Sequence, residues 1–374
     1  MIVGVPRETA PGERRVALVP ELVPLVKKAG MEVLVQEDAG VAAGFVDSAF
    51  EEKGARLASG VLANADIVLK VQPPTQEEIG QLKEGACLIG FLQPYTQQTA
   101  IAALTARKIT VFAMELMPRI TRAQPMDALS AMSTVAGYKA VLLAASRLPK
   151  FFPLLMTAAG TMTPARVFVL GAGVAGLQAI GTARRLGAVV EAFDTRPVVK
   201  EQVESLGARF VELPLDTKEA EEKTGYAKAQ SEEFYRRQQE LLAKSVAAAD
   251  VVITTALVPG KKAPILITAS MVQAMRPGSV IVDLAAEQGG NCELTQPGQE
   301  TLRNGVAIVG ITNLPSTLAY HASTMYARTV VNFLLALVKD GKMQLDLQDE
   351  LIRGPLVTHQ GEVIHETVKA LMKT

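Results

Sequence analysis

At 374 residues, 49% hydrophobic and 20% charged with 29 glycines, the sequence suits a folded α/β protein of two domains and excludes a disordered chain. Thirty-eight Lys plus Arg balance thirty-eight Asp plus Glu, so no net charge invites nucleic acid or an anionic membrane. Cys87 and Cys292 lie far apart and read as reduced thiols rather than a disulfide or a metal pair.

No apolar run is read as approaching bilayer length. The start, MIVGVPRETA, is a strand followed by charge, not a signal peptide. The expectation is a soluble, cytoplasmic chain with no nucleic-acid partner, no direct membrane insertion and no metal.

In chain order, IVGVP predicts a strand, PELVPLVKKAG a helix closed by Gly30, and MEVLVQE a strand. DSAFEEKGA is helical, DIVLKVQP a strand, QEEIGQLKEG helical, ACLIGFL a strand, AIAALTARK helical and TVFAMEL a strand. Such alternation predicts crossover units and a parallel sheet covered on both faces. Next, RITRAQPMDALS packs Arg119, Arg122, Gln124, Asp127 and Ser130 between a strand and a helix, where loops are usually short and bland.

The Ala-rich segment 127–148, with no breaker except Gly137, predicts a helix bridging two domains. A second α/β series follows: ARVFVLGAGVAGLQAIGTARRLGAVVEAFDTRP, VKEQVESLGARFVEL, DVVITTAL, ASMVQAMRPG, SVIVDLA and VAIVG. Between 213 and 230 the polar run PLDTKEAEEKTGYAKAQ interrupts the rhythm, either extending the next helix or forming a mobile surface loop. TMYARTVVNFLLALVKD predicts an apolar helix that returns to pack on the first domain; the tail after Asp340 gives little pattern. The fold class is α/β: two Rossmann-like domains with parallel sheets, joined by long linking helices around a cleft. The first domain takes residues 1–126 plus about 318–374, the linking helix 127–148, and the second domain 149–317 with a mobile loop at about 213–230.

GAGVAG at 171–176 fits G-x-G-x-x-G and has its required context, the buried strand VFVL before it and a helix after it. Gly171 permits the tight turn, Gly173 lets backbone approach a pyrophosphate, and Gly176 lets helix pack on strand. Val174 and Ala175 open the helix, whose free N–H groups face the phosphates. Asp194 closes the next strand, 23 residues after Gly171, where a carboxylate accepts from ribose hydroxyls and repels a 2′-phosphate. That favours NAD over NADP. Thr195 adjoins it, and Arg196 is the kind of residue that accommodates the phosphate instead.

Several runs carry a resemblance over the whole chain: PRETAPGERRVALVPE, MELMPRITRAQPMDALS, MTAAGTMTPARVFVLGAGVAGLQAI, TTALVPGKKAPILIT and VDLAAEQGGNCELT. The chain resembles the NAD(H)-binding component, the alpha-subunit domain I, of proton-translocating nicotinamide nucleotide transhydrogenase, and more distantly alanine dehydrogenase. The resemblance implies that RITRAQPMD reaches over the nicotinamide half of NAD(H). Arg119, Gln124 and Asp127 would then position the nicotinamide without acid/base work, and Ser130 would bind the cofactor. The alternatives are a helix cap for Asp127, a solvated hydroxyl for Ser130 and a surface charge for Arg122. It also implies that Ala256, Leu257 and Pro259 line the nucleotide cleft, and that Tyr226 of TGYAK closes over the cofactor; packing is the alternative for each.

Arg15 and Lys70 match the substrate-binding Arg and Lys of alanine dehydrogenase. Its catalytic His aligns near Gln93, and its active-site Asp with Glu287. Gln93 cannot shuttle a proton, whereas hydride transfer between two nicotinamides needs positioning alone. The expected function is therefore transhydrogenation: NAD(H) on this chain, NADP(H) on a partner domain, and a membrane-spanning subunit on another chain. The resemblance further implies a homodimer, peripheral to the inner membrane through its partners. An alanine dehydrogenase-like enzyme and a non-catalytic NAD sensor remain the alternatives.

Overall fold

The structure, a computed structural model, describes residues 1–212, 232–258, 260–339 and 341–372. Its contacts divide the chain into two compact units, residues 1–132 with 315–374 and residues 133–314.

In the first unit an eight-stranded sheet is built around parallel strands. Ile2–Val5 lies between Ile67–Leu69 and Glu32–Gln36, and Arg56–Ala58 extends the latter side. Cys87–Gly90 and Thr110–Ala113 continue the other side. In chain order the six parallel strands run 3-2-1-4-5-6, which places a switch point between Ile2–Val5 and Ile67–Leu69. CLIG, TVFA and IVL are buried at every position, as central parallel strands covered on both faces must be.

The tail that showed little pattern contributes Leu356–His359 and Glu362–Val363. Both pair antiparallel, the first against Thr110–Ala113. The expected parallel sheet therefore carries an antiparallel edge. Helix Ala319–Leu337 packs in this unit: Phe333 meets Phe112 edge-on with centroids 5.2 Å apart, and Ser323 Oγ accepts the Val16 N–H.

The second unit repeats the order 3-2-1-4-5-6. Arg166–Leu170 sits beside Val189–Phe193 and Val251–Thr254, with Arg209–Phe210, Val280–Asp283 and Val306–Val309 outward. Glu300–Arg303 adds an antiparallel edge here too. Val, Ile and Phe fill the central strands because a branched or aromatic side chain fits a covered pleat, each burial contributing about 1.5–3 kcal/mol.

Helix Ala128–Arg147 is continuous, and the division between units falls within it after Met132. It also corrects the reading that no apolar run approaches bilayer length. Its 20 residues, with mean hydropathy 1.4, are long and apolar enough by length and composition, a test that core helices also pass. Small residues make it so: Ala140, Val141 and Ala144 are fully buried in the second unit's core.

Candidate functional site

The turn after Arg166–Leu170 is made by glycines with three different environments. Gly171 has φ +96°, a left-handed conformation that disfavours a side chain, and a Cβ there would lie 2.5 Å from Thr255 Oγ1. At Gly176 a Cβ would collide with the Gly171 carbonyl, so helix Val174–Arg185 can approach its strand only without one. Gly173 has nothing within 4 Å of a Cβ position. The space beside it is open, which suits a pyrophosphate approaching backbone at the start of a 12-residue helix.

Asp194 follows Val189–Phe193 and is engaged by its neighbours. Its Oδ2 accepts Ala172 N–H at 2.8 Å and Arg196 Nη2 at 3.0 Å, and its Oδ1 accepts the Arg196 backbone N–H at 2.9 Å and Nε at 3.0 Å. The carboxylate thus ties the second strand's end to the glycine turn. Thr195 lies between the two partners.

Across the switch point, Thr255 stitches the end of Val251–Thr254 to that turn, its N–H donating to Leu170 O at 2.8 Å and its Oγ1 to Gly171 O at 3.0 Å. Ala256 is half-buried and Leu257 exposed. Tyr226, the loop at 213–230 and Pro259 lie outside the described residues.

In the first unit, Arg119 and Gln124 are exposed, Gln124 on a 3-10 turn over Thr121–Met126. Asp127 starts the long helix as a cap: Oδ1 accepts Ser130 N–H at 2.9 Å and Oδ2 accepts the Ser130 hydroxyl. Arg122 is not a lone surface charge, since it forks onto Asp349, which caps Glu350–Arg353. Asn332 Nδ2 donates to Pro125 O at 2.9 Å, so helix Ala319–Leu337 holds the loop from behind.

The same unit gathers a buried charge cluster near its own switch point. Arg15 forks onto Glu13, Nε to Oε1 at 2.8 Å and Nη2 to Oε2 at 2.6 Å. Lys70 Nζ lies 2.9 Å from Glu78 and 3.3 Å from Glu8. Burial alone would raise the Glu13 carboxyl, but Arg15 and Gln72 outweigh it and hold it down at about 2. Burial wins at Glu8, which is raised despite Lys70. At Glu115 it wins further. Desolvation pushes that carboxyl up to about 7 against the N–H groups of Leu92 and Gln93 that donate to Oε1, and buried Oε2 has no partner among the described residues. Gln93 itself is exposed, with φ +48°. Glu287 accepts the Asn313 N–H in the second unit.

Three supports went unread in the sequence. Gly137 packs under the fingerprint, where a Cβ would collide with Ala175 O. Its signal was available, as the one breaker in an Ala-rich helix. Asn332 braces the polar loop and Asn291 braces Ala256, both across long sequence separations that no local pattern reports.

The family model for the alanine dehydrogenase/PNT N-terminal domain matches residues 4–136, and that for the C-terminal domain matches residues 140–366. Over 376 residues the chain is 50% identical to the first of the parts into which the NAD(P) transhydrogenase alpha subunit of Rhodospirillum rubrum is divided, covering 98% of each. A transhydrogenase structure from Sinorhizobium meliloti superposes with TM-score 0.87 at 43% identity, covering 98% of this chain and 100% of that one. Alanine dehydrogenase of Halomonas elongata is 32% identical over 378 residues, covering 98% of this chain and 96% of that protein.

Proposed function

The chain belongs to the alanine dehydrogenase/PNT family, and from that premise we propose that it is the NAD(H)-binding subunit of a proton-translocating NAD(P) transhydrogenase. One observation carries the reading: a chain half-identical to a transhydrogenase alpha subunit end to end presents the Gly171–Gly176 turn at a Rossmann switch point, with open space at Gly173.

Bound NAD(H) supplies the ring that gives or takes the hydride. This chain binds and orients. The backbone at Gly173 to Gly176 and the helix N-terminus take the pyrophosphate, with Val174 and Ala175 lending N–H groups. Asp194, flanked by Thr195 and Arg196, takes the adenosine ribose, while Ala256 and Leu257 line the opposite rim. Arg119, Gln124 and Asp127 position the nicotinamide, Gln124 because an amide both donates and accepts. Ser130 and Tyr226 complete the set that the resemblance implies. No acid or base is required, because hydride passage between two nicotinamides moves no substrate proton.

As an alpha subunit, the chain works with other subunits. The finer proposal puts NADP(H) on a partner domain, a membrane-spanning subunit on another chain, this chain as a homodimer, and its place on the cytoplasmic side of the inner membrane. The alanine dehydrogenase reading retains Arg15 and Lys70, but Glu13, Glu8 and Glu78 already match their charges, so a keto-acid carboxylate would have to compete with them. The deciding experiment mixes the chain with an NADP(H)-binding partner domain and follows reduction of an NAD analogue by NADPH. Hydride exchange supports the proposal; NAD binding without exchange leaves the sensor reading.

A further inference from the structure

We propose that Asn291 is the positioning residue for the nucleotide-facing rim at residues 255–258, holding its backbone in place before nucleotide binds; this rests on the reading of Gly171–Gly176 as the dinucleotide site. Ladder pairing of Val251–Thr254 with Val280–Asp283 ends at Thr254. Beyond it, the Asn291 side chain takes over. Its Oδ1 accepts the Ala256 N–H at 3.0 Å, and its Nδ2 donates to Ala256 O at 2.8 Å and to Pro264 O at 2.8 Å. A carboxamide offers the same donor and acceptor as a peptide group, so Asn291 acts as one more rung of the sheet.

The rung is itself fixed. Asn291 is completely buried, and its N–H donates to Asp283 Oδ2 at 2.8 Å. Its carbonyl accepts the Leu266 and Ile267 N–H groups. Asp283, also completely buried, accepts in addition from Thr254 Oγ1, Ala285 N–H, Cys292 N–H and Thr295 Oγ1. A carboxylate so saturated cannot release Asn291 without stranding several donors. Since Thr255 binds the Gly171 carbonyl, the two rims of the switch point are set relative to each other from one buried hub. Other side chains fail there for stated reasons. Asp would aim oxygens at two carbonyls, Ala would leave Ala256 unpaired, and Gln would overreach by a methylene.

Preorganisation of this kind spares binding the entropy of ordering the rim. Ordering one residue on binding corresponds to about a tenfold loss of affinity. The test titrates NADH into wild type, Asn291→Asp and Asn291→Ala between pH 6 and 8.5. Both variants are expected to bind about tenfold more weakly at pH 8. As pH falls, Asn291→Asp should recover part of the loss, because a protonated carboxyl can donate to one of the two carbonyls; the neighbouring Asp283 favours that protonation. Asn291→Ala should show no such recovery. Wild-type affinity in both variants, or equal weakening of both at every pH, would overturn the proposal. Should the variants fail to fold, amide exchange in the wild type decides. The Ala256 N–H is expected to be as protected without NADH as with it, and free exchange until NADH is added overturns the proposal. A wild type that binds no NADH would instead overturn the dinucleotide reading, and amide exchange would still judge Asn291.

Discussion

Arg196 folds back on Asp194, with Nε 3.0 Å from Oδ1 and Nη2 3.0 Å from Oδ2. Two backbone N–H groups, of Ala172 and Arg196, reach the same oxygens. A carboxylate has about four lone-pair sites, so this one is filled. Ribose hydroxyls can bond it only by displacing the guanidinium. Asp194→Ala is therefore expected to weaken NADH binding by about ten- to a hundredfold and to narrow the preference over NADPH. Arg196→Ala removes a competitor and should leave NADH binding unchanged or tighter while weakening NADPH. Fluorescence titration with both nucleotides measures this. An equal loss of NADH affinity in the two variants would contradict it.

Gly137 and Gly173 should separate packing from binding. A methyl at Gly137 meets Ala175 O, so Gly137→Ala must shift the fingerprint helix or the long helix. Overpacking of that kind costs about 1–3 kcal/mol, and both the melting temperature and NADH affinity should fall. At Gly173 a methyl meets nothing within 4 Å. Gly173→Ala should therefore melt like wild type yet bind NADH poorly, because the methyl stands where the pyrophosphate belongs. A large drop in melting temperature for Gly173→Ala would refute the assignment.

Glu115 makes stability pH-dependent in an unusual direction for a carboxylate. Burial raises it from 4.5 to about 7 in the folded protein. Between those values the unfolded chain has lost a proton that the folded one keeps. The stability Glu115 contributes is thus complete below pH 4.5 and is lost as pH rises through about 7. The loss is of the order of 3 kcal/mol at pH 8. Glu115→Gln keeps an acceptor for Leu92 and Gln93 but cannot ionise. Urea melts at pH 5 and pH 8 should show the variant gaining on wild type at the higher pH; parallel curves would count against a raised carboxyl.

The reaction type can be tested through Gln93 and Gln124. With no proton donor at Gln93, the chain should show no amination of pyruvate with NADH and ammonia. Gln124→Asn retracts the amide by one methylene. With a partner domain and NADPH it should slow hydride transfer on the order of a hundredfold while retaining most NADH binding. Robust pyruvate turnover, or an unchanged transfer rate in the variant, would reverse the choice between the two enzymes.

What could be read from the sequence was local. Burial on both faces of VFVL, the glycine spacing at 171–176 and a carboxylate at the end of the following strand all lie within one βαβ unit. There, periodicity and turn chemistry act over a few residues. The alternation that predicted two Rossmann-like units works for the same reason. Edges escaped it: Leu356–His359 and Glu300–Arg303 are short, and each is a strand only because a central strand leaves a row of N–H and C=O groups beside it. Asp127 shows the intermediate case, where the cap is local but the pattern cannot say whether the carboxylate serves the helix or a ligand. Asn291 lies 35 residues from Ala256, Asn332 lies 207 from Pro125, and Gly137 meets Ala175 on another element. These supports were decided by tertiary structure alone. A buried donor must find an acceptor wherever the fold brings one, and a sequence window does not show which distant residue will be there.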